Sequence, residues 1–273
     1  MLTATEFSSG LPLAPEREAR FFASLRLANG TFKTTADHRM DDLNEFILSR
    51  WHDTGFQPRE IMDVGVSSGI ATAEWLESLS TARFQVRMTA TDLALWANIV
   101  PLRFGVNVLE ASGHILQYVV FGMPIRPWRR RLDYLTGYAL IIALANGIVT
   151  ALRPRGDPKK FLLVSTRALR HDAIEWVEDD VLAPNPAQFV QRYDAIRAAN
   201  ILNRGYFSTD QLTRAVANLK ERLAGPGSRL IVNRTLSDSA NHATMFRLND
   251  ANRFEAEARL GQGSEIEEII SSA

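Results

Sequence analysis

Residues 61–70 read I-M-D-V-G-V-S-S-G-I. A short apolar run closes on the acidic Asp63, Gly65 and Gly69 follow four positions apart, and an amphipathic stretch over 71–79 begins at once. The pattern predicts a strand, a tight glycine turn and a helix, which is how a nucleotide-binding α/β unit opens. Gly65 can take a backbone conformation closed to other residues and lets main chain approach a ligand, while Gly69 lets the helix pack close to the strand. Taken alone, the stretch also suits an ordinary strand-to-helix turn that binds nothing.

Outward from it, the chain alternates strands with helices. Upstream, residues 1–15 read as a loose lead-in. Helical spacing then runs from 16 to 51 with a break near Asn29 and Gly30, giving a helical preface over 1–55. Downstream, strands are predicted at 84–91, ending at Asp92, at 161–165, at 173–177 running into E-D-D-V-L, at 193–199 and at 229–233. A helix over 209–224, with Leu212, Val216, Leu219 and Leu223 on one face, is stopped by Gly225-Pro226-Gly227. Residues 243–248 and 254–260 alternate as a terminal antiparallel pair. The expected fold is α/β: a doubly wound, mostly parallel, Rossmann-like sheet over 56–273 with an antiparallel last strand and an apolar helical insertion at 93–158.

Composition removes several classes. The 273 residues carry 31 basic and 31 acidic side chains, so bulk charge gives no case for a nucleic-acid partner. There is no cysteine, hence no disulfide, thiolate metal site or cysteine nucleophile. Five scattered histidines without metal-ligand spacing predict no metal site, and neither a G-x-S-x-G elbow nor a P-loop is present. The amino terminus lacks a basic segment and a long apolar core, so a signal peptide is not expected and the cytoplasm is the expected location.

With these elements in order, the chain resembles the class I S-adenosylmethionine-dependent methyltransferases from about residue 59 to its carboxyl end. The stretch D-V-G-V-S-S-G is similar to that family's first motif, Asp92 falls where an acidic residue ends the second strand, E-D-D-V-L falls at the end of the third, and the closing hairpin suits the reversed last strand. The resemblance implies S-adenosylmethionine as cofactor and S-adenosylhomocysteine as product. It implies cofactor contacts from Asp63, Gly65, Ser67 and Gly69, from Asp92 to the ribose hydroxyls with Leu93 beside it, from Asp179 or Asp180 to the adenine amino group with Val181 against the ring, and from Asn200. Ser67 departs from the family's glycine.

Within the class, Asp194, Asn200 to Leu202, the pair Tyr206-Phe207 and Pro226-Gly227 resemble the chemoreceptor glutamate methyltransferases, which esterify a carboxylate. Direct displacement at a methyl group needs orientation and desolvation more than a base, so Arg204, Tyr206 and Asn200 are the candidate catalytic residues. His38 and His171 are candidate bases should the acceptor be a hydroxyl or amine.

The insertion carries the substrate question. Residues 134–152 contain no charge, just enough for a bilayer at ~1.5 Å per residue, and a second uncharged run spans 111–125. Three readings stand open: a transmembrane hairpin, a helix buried over the sheet, and a lipophilic lid or sleeve with peripheral membrane contact through 111–152. The function expected is O-methylation of the carboxylate of a lipophilic small molecule, such as a fatty or hydroxy-fatty acid, for signal synthesis. The alternatives are a protein glutamate methyltransferase and a degenerate methyltransferase that docks on a membrane or partner.

Overall fold

The structure, a computed structural model, describes residues 2–11, 13–33, 36–236 and 239–273. In chain order its elements are α1 (Ala4–Phe7), α2 (Pro15–Ser24), α3 (Asp41–Thr54), β1 (Glu60–Val64), α4 (Ile70–Thr81), β2 (Arg87–Asp92), β3 (Trp96–Pro101), β4 (Asn107–Ala111), β5 (His114–Val120), β6 (Met123–Ile125), α5 (Arg131–Leu135) and α6 (Tyr138–Ala151). There follow β7 (Lys159–Leu162), β8 (Ile174–Glu178), β9 (Ala195–Ala199), α7 (Thr209–Arg222), β10 (Arg229–Thr235), β11 (Asn241–Leu248), β12 (Phe254–Leu260) and α8 (Glu267–Ser271). They form two compact units, one of residues 1–35 with 94–166 and one of 36–93 with 167–273.

The larger unit holds the expected sheet. Its seven strands run β12-β11-β10-β9-β1-β2-β8, with β1, β2, β8, β9 and β10 parallel and the last two strands joined antiparallel. The reversed strand beside β10 is β11, and β12 completes a meander at the edge. Helices cover both faces. Met62, Val64, Ile196 and Ala198 turn towards Leu212, Val216 and Leu219 of α7 and Ile270 of α8. The alternate strand residues meet α3 and α4, where Trp51 and Trp75 pack with ring centroids 6.2 Å apart. α3 ends on Gly55 in the left-handed conformation, and α7 starts on a reciprocal cap between Ser208 and Gln211.

The smaller unit differs most from expectation. Its centre is a five-stranded antiparallel sheet, β6-β5-β4-β3-β7. One face packs on Phe7, Phe21 and Phe22 of α1 and α2, and the other on Ile142 and Ala145 of α6. The insertion thus contains the apolar helix but is built mainly from strands. The strand expected over 161–165 belongs to this second sheet as β7 and not to the parallel one. The helices of the amino-terminal preface are divided, α1 and α2 lying in the smaller unit and α3 in the larger.

The uncharged run 134–152 breaks at Gly137, whose φ is 74°, so that α5 and α6 are separate. At ~1.5 Å per residue α6 is about 21 Å long, short of a ~30 Å hydrocarbon core. Among the described residues no helix is long and apolar enough to cross a membrane. That overturns the transmembrane hairpin reading.

Candidate cofactor site

Most of the residues expected at the site come together at the carboxyl ends of parallel strands in the larger unit, beside β1, where the strand order reverses between β2 and β9. Open α/β sheets form their ligand crevice at such a point. After β1 the chain turns through three left-handed residues, Gly65 (φ 77°), Ser67 (φ 54°) and Gly69 (φ 78°). The amides of Gly65 and Val66 both donate to the carbonyl of Thr91, at 2.8 and 3.1 Å, so the loop folds over the end of β2. Gly69 then caps α4. A Cβ on Gly65 would stand 3.0 Å from Cδ1 of Ile201, which follows β9, so both the conformation and the close approach demand glycine there.

Ser67 stands where the resemblance expects glycine, yet it keeps a glycine-like backbone. Its amide donates to Oδ2 of Asp92 at 2.7 Å. Asp92 is half-buried at the end of β2, and Leu93 beside it is exposed. Next to the loop, Ser68 is fully buried with a hydroxyl oxygen that has no hydrogen-bond partner, and the buried Thr91 hydroxyl is likewise unpartnered. Unpaired buried oxygens are costly and uncommon, and here both lie at the strand ends beside the glycine turn.

Two aspartates of the expected set are consumed elsewhere. Asp63 is buried and held by Arg197 of β9 at two points, Nε to Oδ1 at 2.9 Å and Nη2 to Oδ2 at 2.6 Å, while Thr72 donates to Oδ2 at 2.8 Å. Arg197 also reaches Asn44 and lies 4.1 Å over the ring of Trp75. Strand alternation turns Asp63 towards α3 and α4, away from the face carrying Met62 and Val64. Asp179 is likewise paired with the buried Arg222 at 2.6 and 3.2 Å. Its neighbour Asp180 is exposed and uses one oxygen for the amide of Leu182 at 2.9 Å, next to the buried Val181. Of the two, Asp180 has its carboxylate open to a ligand.

After β9, Asn200 sits at φ 61° and spends its side chain on β10, accepting from the Thr235 amide at 2.6 Å and donating to the Thr235 hydroxyl at 3.1 Å. It knits two strand ends. The following turn is shaped by the buried Asn203, which accepts from the amides of Gly205 and Tyr206. That places Arg204 and Tyr206 on an exposed rim, Tyr206 at 60% exposure. Asp194 accepts from the amides of Arg59 and Glu60 and fixes the start of β1. His38 lies on the surface beside Asp41, and His171 pairs with Glu77 of α4, so neither is among the residues that meet at these strand ends. The described residues include no metal-binding cluster.

Arg197, Arg222 and Ile201 were not in the expected set. Arg197 carries a readable signal: an arginine inside the small apolar strand D-A-I-R-A-A has to be buried, and a buried charge is a paired one.

No family model and no curated protein matches the chain. Solved structures similar to it include the N-methyltransferase NodS from Bradyrhizobium japonicum WM9 with S-adenosyl-L-homocysteine, at 14% identity over 80% of this chain and 71% of that one, with a TM-score of 0.37. An amino pentose methyltransferase of calicheamicin biosynthesis from Micromonospora echinaspora, bound to S-adenosylmethionine, is 13% identical over 76% of this chain and 63% of that one, TM-score 0.36. A protein assigned as a zinc-dependent alcohol dehydrogenase from Rhodobacter sphaeroides is 14% identical over 82% of this chain and 57% of that one, TM-score 0.35. Likenesses this distant assign neither a family nor a reaction to this chain.

Proposed function

We propose that the chain is an S-adenosylmethionine-dependent O-methyltransferase. The observation that carries this reading is the left-handed series Gly65, Ser67 and Gly69 after β1, bonded through Ser67 to the acidic end of β2. It keeps the backbone of a three-glycine motif although one glycine is replaced. The residues present fit the cofactor. The loop 65–69 would take its amino-acid end, with the unpartnered Ser68 and Thr91 hydroxyls at hand. Asp92 would accept from ribose hydroxyls, and Asp180 with Val181 would meet the adenine. Bound there, the cofactor supplies a methyl group on a sulfonium, whose sulfur keeps the electron pair as the methyl passes to the acceptor. The chain's own part is to orient the acceptor and exclude water.

For the acceptor we favour the carboxylate of a lipophilic small molecule such as a fatty or hydroxy-fatty acid, esterified for signal synthesis. A carboxylate is already ionised near neutral pH and needs donors rather than a base. Arg204 and Tyr206 on the exposed rim after β9 supply a guanidinium and a hydroxyl. The resemblance to carboxyl-methylating enzymes at Asp194 and Tyr206-Phe207 supports the same chemistry.

Calorimetric titration with S-adenosylmethionine tests the first half: wild type binds, and Gly65→Val combined with Asp92→Ala does not. Absence of binding by wild type would end this reading in favour of a scaffold, for which the Ile201 side chain lying against Gly65 speaks. Incubation with methyl-labelled cofactor, a panel of fatty acids and receptor-derived peptides tests the second half. Label on fatty acids is expected, and label confined to peptide would identify a protein glutamate methyltransferase.

A further inference from the structure

The insertion has a charge and a surface unlike the rest of the chain. Residues 94–158 carry seven arginines against three carboxylates, in a protein of zero net charge. One of those carboxylates, Asp133, is already held by Arg126 and caps α5. Among the described residues Arg103, Arg153 and Arg155 have no carboxylate in ion-pair reach.

The antiparallel register brings apolar side chains to the same place. Pro101 pairs with Asn107, Asn107 with Val119, and Val120 with Met123, so the turn 102–106 and the turn 121–122 lie at one end of the five-stranded sheet. Each turn points a phenylalanine into solvent, Phe104 at 72% and Phe121 at 69% exposure. Both have a left-handed backbone, φ 60° and φ 50°, where a bulky residue is disfavoured and glycine or asparagine is the easy choice. Leu102 also bridges to Pro154, and the Arg155 amide donates to the Pro101 carbonyl at 2.7 Å, which brings Arg153 and Arg155 to that same end. α6 packs one side on the sheet and leaves Leu140 and Leu144 exposed on the other. Exposed phenylalanines beside arginines, with the exposed Asp157 the carboxylate nearest them in sequence, complement an anionic bilayer: the rings enter the acyl boundary and the arginines meet phosphates.

We infer that this end of the insertion sheet, with Phe104 and Phe121 at its tips and Arg153 and Arg155 beside them, docks on the surface of an anionic lipid membrane. The contact is peripheral, since α6 is too short to span.

The test is co-sedimentation of the full chain with phosphatidylcholine vesicles, with and without phosphatidylglycerol, at low and high salt. Binding is expected only to vesicles with the anionic lipid and is weakened by salt. Phe104→Asn with Phe121→Asn suits the left-handed positions and is expected to fold at least as stably as wild type, while weakening binding by roughly tenfold per phenylalanine. Arg153→Gln with Arg155→Gln is expected to weaken it by about thirtyfold. No binding to either vesicle, equal binding to both, or binding undiminished in the asparagine variant would overturn the inference. So would a concentration-dependent dimer that the asparagine variant abolishes in a protein that ignores vesicles, since a second copy would then be the occupant.

Discussion

The amide of Ser67 donates to Oδ2 of Asp92 across 2.7 Å, tying the loop after β1 to the end of β2. Holding a serine in the left-handed region costs roughly 1–2 kcal/mol, and a hydrogen bond to a carboxylate returns about 1.5–3 kcal/mol. Ser67→Gly relieves the first and keeps the second, but gives the unfolded chain more freedom, worth ~0.4–1 kcal/mol. Its stability by urea unfolding is therefore expected within about 1 kcal/mol of wild type, with cofactor binding retained. Asp92→Ala removes both the loop's acceptor and the proposed ribose contact, and the dissociation constant for S-adenosylmethionine is expected to rise about tenfold or more. Unchanged affinity in that variant would remove Asp92 from the site.

Asp63 and Arg197 predict a different phenotype from the same motif. The pair is fully buried, so Asp63→Asn strands a guanidinium and is expected to cost about 3–5 kcal/mol, with Arg197→Gln costing a comparable amount. The two changes together should cost less than their sum by more than ~1 kcal/mol, the signature of direct coupling in a double-mutant cycle. Asp63→Asn of unchanged stability but weakened cofactor binding would return Asp63 to the binding site.

The contrast between Asp63 and Asp92 marks how far the sequence could be read. The glycine spacing, the acidic strand ends and the one-sided α7 locate the parallel sheet, because those features follow from local backbone and burial rules. Which face a strand residue takes depends on the helices packed against it, so local sequence does not reveal that Asp63 and Asp179 are held by Arg197 and Arg222. The strands of the insertion are hidden in the sequence for a local reason. Ser112-Gly113 and Phe121-Gly122 are two-residue turns with positive φ at both positions, flanked by the pairs Ala111–His114 and Val120–Met123. Such turns usually carry Asn-Gly, Asp-Gly or Gly-Gly, and Ser-Gly and Phe-Gly do not announce them. The uncharged run after it drew the whole segment towards helix.

Glu74 of α4 makes a pH-dependent prediction. Its side chain is 4% exposed, burial raises its pKa above the usual glutamate range, and the His38 amide at 3.0 Å and the Arg167 guanidinium at 3.6 Å only partly offset this. A carboxyl with a raised folded pKa favours the protonated form in the native state. Its contribution to stability is therefore complete below the unfolded pKa and is lost as pH rises through the folded one. Glu74→Gln keeps an acceptor for His38 without the charge. The variant should unfold at higher urea than wild type at neutral pH, with the difference closing in acid. A variant destabilised at neutral pH would show that the Arg167 contact outweighs burial.

Asp179 and Asp180 are adjacent carboxylates with opposite surroundings, so alanine at each should separate folding from binding. Asp179 holds Arg222, which is wholly buried and also donates to Asn185 at 2.7 Å. Asp179→Ala is expected to cost about 3–5 kcal/mol in urea unfolding by leaving that guanidinium without its counter-charge. Asp180 is exposed and accepts one amide, from Leu182. Asp180→Ala is expected to stay within ~1 kcal/mol of wild type in stability while weakening S-adenosylmethionine about tenfold through loss of the proposed adenine contact. Binding to S-adenosylmethionine and to an analogue without the adenine amino group, compared in both proteins, assigns the contact: wild type should discriminate between them and Asp180→Ala should not. Discrimination that survives in Asp180→Ala would place adenine recognition elsewhere along the loop after β8.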